Sequence, residues 1–262
     1  MLEYIIWNPN PDAVSFGSFA IKWYGLSWTA SIFGTFLMAY WFCKQEGKDA
    51  EKMTDLIIYV FIGALIGARL VHALVYQPEY YFANPLEILK PWKGGLASHG
   101  GIVGAFVALW FFKKQNPAFS YLWIMDRTAI ASIIAGIFIR LGNLMNSELI
   151  GKVTDVSWAF IFIQVDESPR HPSVLYEAVF YTLVFVAMVL LYLRLRNNLP
   201  GIYLSIFLIV IFTARLLIEF TKVPDGEGFL GLSSTQTLHI PLILSGFVLL
   251  YFSLTGKLKK YG

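Results

Sequence analysis

Seven long apolar runs constrain this chain more than any other feature. They lie at about residues 20–42, 54–76, 97–112, 119–141, 173–193, 200–220 and 238–255. A helix needs roughly 20 mostly apolar residues to cross the hydrocarbon core of a bilayer. Inside lipid no water satisfies the backbone, so runs this long are viable only as helices. Composition agrees. Of the 262 residues, 57% are hydrophobic and 14% charged, with a mean hydropathy of +0.61, whereas soluble domains run near ~25% charged. The expected fold is all-α: one polytopic membrane domain over residues 1–262 with about seven transmembrane helices and no large soluble part.

The net charge of +3 says less than where the basic residues sit. Lys44, Lys48 and Lys52 follow the first run, Lys113 and Lys114 the third, Arg194 and Arg196 the fifth, and Lys257, Lys259 and Lys260 the seventh. The positive-inside rule makes those segments cytoplasmic. The N-terminus is then expected outside, the C-terminus inside, and the loops after the second, fourth and sixth runs outside. MLEYIIWNPNP has neither a basic start nor a small-residue cleavage site, so it does not read as a removable signal peptide. The expected outer loops are the longer ones. Within 152–172, VSWAFIFIQV alternates in part, which predicts a short strand pair or an interfacial element. Residues 221–236, with Pro-Asp-Gly and small residues, read as loop.

Some chemistries lack support. Cys43 is the only cysteine, so no internal disulfide can form, and thiol chemistry at the outer face would need a thiol from another molecule. No CxxC, HExxH, GxxxxGK[ST] or GxSxG is present, which removes the usual signals for zinc, nucleotide or serine-hydrolase chemistry. No metal, cofactor or nucleic acid is expected.

Polar residues gather instead at the expected outer ends of the runs. GARL, IRLGN and ARLLIE place Arg69, Arg140 and Arg215 near the ends of three of them. An arginine there can simply complement the helix dipole and snorkel to the headgroups. Three at one level, with Tyr24, His99, Asn143, Asn146, Glu148, His171, Glu219 and Gln236, point to more, because ionisable groups beside membrane spans usually face a wet cavity. Arg215 and Glu219, at i and i+4, share a helix face and could form an ion pair. Arginine suits phosphate because its planar fork donates paired hydrogen bonds. His99, in SHGGIVG, could act in acid–base chemistry or be a satisfied structural histidine. The residues alone describe a cavity for an anionic lipid headgroup and name no reaction.

At 140–151, RLGNLMNSELIG resembles the signature of the phosphatidylglycerol–prolipoprotein diacylglyceryl transferases, with Arg140, Gly142, Asn143, Asn146, Glu148 and Gly151 in register. Ile139 stands where that signature has glycine, and Leu144 where it has phenylalanine. The similarity continues in FGSFAIKWYGL with Tyr24, WKGGLASHGGIVG with His99, RHPSVLYE with His171, ARLLIEF with Arg215 and Glu219, and PDGEGFLGLSSTQTLHIP with Gln236. In the last, Thr235 replaces an expected glycine.

The resemblance implies transfer of the diacylglyceryl group of phosphatidylglycerol to the lipobox cysteine of a prolipoprotein. A thioether forms and glycerol phosphate leaves. It also implies a bacterial cytoplasmic (inner) membrane location among membrane lipids, with the site toward the outer, periplasmic side. His99, Arg140 and Arg215 would be catalytic. Arg140, Tyr24, Asn143, Asn146, Glu148, Gly151, Glu219, Arg69, His171 and Gln236 would bind substrate. A secondary transporter or lipid-binding protein is the alternative. The odd number of runs and the one-sided polar cluster count against it, because transporters usually show inverted repeats and a midplane site.

Overall fold

The computed structural model describes residues 4–17, 19–91, 94–196, 198–224 and 231–261, without the side chains of Phe19, Ser98, His99, Ile102 and Tyr261. Three short strands, β1 (Ile5–Trp7), β2 (Asp12–Phe16) and β3 (Phe19–Lys22), precede α1 (Trp23–Gln45). Then come α2 (Lys52–Val71), α3 (Pro78–Ala83), α4 (Ser98–Gln115) and α5 (Tyr121–Met145). Strands β4 (Phe160–Phe162) and β5 (Pro169–Arg170) lead to α6 (Ser173–Leu195), α7 (Ile202–Ile218) and α8 (Ser234–Leu254). A π-helical turn at His72–Tyr76 prolongs α2.

Among the described residues, six helices are long and apolar enough to cross a membrane: Trp23–Gln45, Lys52–Tyr76, Tyr121–Met145, Ser173–Leu195, Ile202–Thr221 and Ser234–Leu254. The third predicted span does form a helix, α4, but it is not among the six. Ser98-His99 at one end and Lys113-Lys114-Gln115 at the other leave it a short apolar middle. Many large apolar side chains on these helices are exposed, among them Phe61, Phe106, Leu183 and Phe247, while Arg69, Asp126, Arg127, Asn143, Glu177, Glu219 and Lys222 are buried. That inverted pattern suits a lipid solvent, in which charged groups turn inward.

The chain divides into two compact units, Ala39–Tyr121 and the remainder, Met1–Met38 with Leu122–Gly262. In the first unit α2 and α4 meet at glycines. A Cβ on Gly67 would lie 2.8 Å from the Gly104 Cα, and Gly63 and Gly100 are equally closed in by the facing backbone. Two glycines four residues apart on each helix let the backbones touch. Close van der Waals packing of that kind holds helices together where no hydrophobic effect is available.

In the larger unit, α1 is held to α5 by Ser31 and Thr35 hydroxyls donating to the carbonyls of Ala135 and Ala131, both at 3.3 Å. The Asp126 carboxylate of α5 accepts the backbone N–H groups of Gly201 and Leu204, at 2.6 and 2.9 Å, and so caps α7. The expected strand element exists. β4 pairs in parallel with β1 and antiparallel with β5. Beneath this small sheet, Leu144, Phe160, Phe162 and Val174 form an apolar cluster joined by Trp7, Ile150 and Leu175. The Trp7 indole donates to the Leu144 carbonyl at 2.9 Å. The sheet therefore fixes the end of α5, with the 140–151 motif, against the start of α6.

Candidate active site

Arg140 lies five residues before the end of α5, where the apolar run meets the polar motif. Its guanidinium is nearly enclosed. Nε forms an ion pair with Glu177 Oε2, and Nη1 donates to Asn143 Oδ1 at 3.0 Å. The relay continues outward: Asn143 Nδ2 donates to Glu148 Oε2 at 3.0 Å, and Asn146 Nδ2 to Glu148 Oε1 at 3.1 Å. Four residues that the sequence motif lists in order thus form one bonded chain, from the fully buried Glu177 to the exposed Glu148.

The backbone is bent to achieve this. Ser147 and Leu149, on either side of Glu148, both have φ of +52°, a region that non-glycine residues seldom occupy. Such strain persists only where the surroundings over-determine it. Here Ser147 N and Glu148 N donate to the carbonyls of Leu144 and Asn143, at 3.1 and 2.9 Å, and fold the loop back on the helix end. Gly151 is needed for a different reason. A Cβ there would come within 2.7 Å of Ser173 Oγ and 2.5 Å of His171 Cβ. Gly142 similarly lets α5 approach α1, since a Cβ would lie 2.9 Å from Ser27 Cβ and 3.2 Å from the Tyr24 ring. Tyr24 is thereby placed beside the helix turn that carries Asn143.

Glu177 is the centre of the cluster, and sequence reasoning gave it no role. Its second oxygen accepts from Lys222 Nζ at 2.8 Å, and Lys222 also lies 3.3 Å from Glu219 Oε2. Lys222 falls in the 221–236 stretch, whose sequence reads as loop. It is brought in by backbone pairing, because Lys152 N donates to the Thr221 carbonyl at 2.7 Å and Gly151 bridges to Lys222. The available signal for Glu177 was its position: a carboxylate one turn into an otherwise apolar helix.

The anticipated Arg215–Glu219 ion pair gives way to Glu219–Lys222. Glu219 begins a 3₁₀ turn, Glu219–Thr221, and the tighter winding directs it toward Lys222. Arg215 Nε is buried without a hydrogen-bond partner among the described residues.

Other predicted residues have local duties. Arg69, in the Ala39–Tyr121 unit, donates from Nε to the Ile88 carbonyl at 2.9 Å, from Nη1 to Gly94 and Gly95 at 2.5 and 3.1 Å, and from Nη2 to Glu87. Gln236 closes a capping box with Ser233 at the start of α8. His171 Nδ1 is 3.2 Å from the Tyr176 hydroxyl, which accepts from the Trp158 indole at 2.8 Å. The side chain of His99 lies outside the described residues; its backbone opens α4. Beside the motif, Arg170 Nη1 donates to the Gly151 carbonyl at 3.2 Å and Nε bonds Asp166 at 3.1 Å. That hydrogen bond holds the Asp166 carboxyl below its usual range and raises the arginine.

The family model described as prolipoprotein diacylglyceryl transferase matches residues 11–252. The phosphatidylglycerol–prolipoprotein diacylglyceryl transferase of Tolumonas auensis is 43% identical over 260 residues, covering 97% of this chain and 99% of its own. Those of Chloroherpeton thalassium and Bacteroides fragilis are 42% and 40% identical, each spanning 96% of this chain and 95% and 96% of their own lengths. With the motif residues bonded to one another on an apolar helical scaffold, this likeness over almost the whole length settles the family: the chain belongs to the prolipoprotein diacylglyceryl transferases.

Proposed function

We propose that this chain transfers the diacylglyceryl group of phosphatidylglycerol to the lipobox cysteine of a prolipoprotein, the first step of bacterial lipoprotein maturation, and that the whole chain acts as one transferase domain. The observation that carries this reading is the state of Arg140. Glu177 and Asn143 fix its guanidinium through Nε and Nη1, so the cation is held in position for an anion. A cation held in place beforehand stabilises charge that develops during reaction without reorganising. Arg215, with its unpartnered Nε, is the second phosphate ligand.

The substrate's thiolate sulfur attacks the glyceryl carbon, the carbon–oxygen bond breaks, and its electron pair leaves on the phosphate. Glycerol phosphate departs. A free thiol has a pKa near ~8.5, so the thiolate needs a base or a cationic field. His99 is the proposed base. Asn143, Asn146 and Glu148 orient Arg140 and the headgroup, and Tyr24, Gly151, Glu219 and His171 shape the surroundings. Arg69 and Gln236 serve the scaffold. The chemistry needs no metal.

The basic clusters support seven spans, with the N-terminus outside the cytoplasmic membrane and the site toward the outer leaflet. Reporter fusions after Lys114 and Lys260 should then read cytoplasmic, and one after Val223 outside. Purified protein incubated with phosphatidylglycerol and a lipobox peptide should yield the thioether peptide and glycerol phosphate in equal amounts. In His99→Gln, base catalysis worth roughly 10²–10⁴-fold should disappear. Lipid binding or translocation with no thioether product would instead identify a carrier.

A further inference from the structure

Tyr181 lies one turn after Glu177 on α6, and all but 3% of it is buried. Its ring packs against α5 at Gly136. A Cβ on Gly136 would stand only 3.1 Å from Tyr181 Cδ2, so the glycine makes room for it. The hydroxyl is within electrostatic reach of Glu177, Arg215 and Arg140, and the Arg140 guanidinium is near enough to donate to it, but its own O–H meets no acceptor in hydrogen-bond geometry among the described residues. Phenylalanine would fill the same space without stranding a hydroxyl, and a stranded buried donor is costly. Arg215 Nε is stranded beside it. Two buried donors with no acceptor among the described residues, beside the Arg140 guanidinium, are the groups an anion would satisfy.

We propose that Tyr181 is a ligand-contacting residue, its phenol donating a hydrogen bond to a phosphate oxygen held between Arg140 and Arg215. This rests on the transferase reading above and adds a donor from α6, outside the 140–151 motif. A neutral donor suits the place. It strengthens as charge builds on the phosphate, and it adds no third positive charge to be balanced once glycerol phosphate leaves.

The test is Tyr181→Phe in the full-length protein, with Arg140→Gln as reference. Turnover of a lipobox peptide is measured over a range of phosphatidylglycerol in nonionic detergent micelles. Thermal unfolding is followed with and without that lipid, and with inorganic phosphate as a soluble probe. A hydrogen bond to a charged group is worth on the order of ten- to a hundredfold in binding. Tyr181→Phe should therefore raise KM for the lipid or lower kcat/KM by that factor. It should keep or improve the lipid-free unfolding temperature and lose part of the stabilisation that lipid confers. Protection of the wild type by inorganic phosphate that the variant lacks would place the contact at the phosphate itself.

A variant with wild-type KM and kcat, while Arg140→Gln is impaired, overturns the Tyr181 assignment and leaves the site standing. A variant whose lipid-free stability falls in step with its activity makes Tyr181 a packing residue and overturns it too. Normal turnover in Arg140→Gln removes the phosphate-site reading and the Tyr181 proposal with it.

Discussion

Arg140 and Arg69 begin as the same sequence feature, an Arg-Leu near the end of an apolar helix, and finish in opposite circumstances. Arg69 donates to four backbone carbonyls of residues 87–95 and lies over the Tyr81 ring, 5.0 Å from its centroid. Arg140 is gripped by side chains, Glu177 and Asn143. Carbonyls carry partial charges and fix a loop. A buried carboxylate carries a full charge, so it can hold a guanidinium in position for another anion. The partner of an arginine, more than its depth, is what we propose separates a brace from a phosphate ligand.

The largest effect should come from the group that makes the difference. Glu177→Gln leaves Arg140 and Lys222 facing a neutral amide, and breaking a buried pair from one side costs about 3–5 kcal/mol. Unfolding in detergent should show that loss, accompanied by loss of transfer. Near-wild-type stability and turnover would reduce the cluster to an incidental arrangement. Next, Arg140→Lys should be almost as damaging as Arg140→Ala, by roughly 10²–10³-fold in kcat/KM, because a point charge cannot bond Glu177, Asn143 and a phosphate together. A lysine variant that works well would return Arg140 to the class of dipole-complementing arginines.

Arg69→Ala should act locally. Amide hydrogen exchange over residues 85–95 should rise on the order of tenfold or more as the charged hydrogen bonds vanish, while KM for phosphatidylglycerol changes less than in the Arg140 variants. An equal loss of lipid affinity would collapse the contrast between the two.

The smallest effect concerns the support beside Gly151. Arg170 holds the Asp166 carboxyl below its usual range, so their pairing stabilises the fold above ordinary carboxylate pH and is lost as pH falls through the lowered value. Asp166→Asn should unfold slightly earlier than wild type at pH 7. The gap should close as pH drops below about 4. A gap that persists in acid would assign the effect to packing.

Much of this was legible in the chain. Helix positions followed from apolar runs, because lipid leaves the backbone no alternative to internal hydrogen bonding. The order Arg140, Asn143, Asn146, Glu148 and Gly151 was visible as a motif, because one helix turn and a tight loop keep it local. Glu177 and Lys222 were not. Their partners lie 37 and 45 residues away in the sequence, and only the small sheet and the Gly151–Lys222 bridge bring them together. The glycine contact of α2 with α4 was present as two pairs of glycines four residues apart, Gly63 with Gly67 and Gly100 with Gly104, but nothing in the sequence says which helices pair. Sequence by itself determined the solvent, the helices and a short polar motif, since each depends on neighbouring residues. Tertiary structure decided which arginine meets a carboxylate and which meets carbonyls, because that depends on groups distant in the chain that packing alone brings within hydrogen-bonding reach.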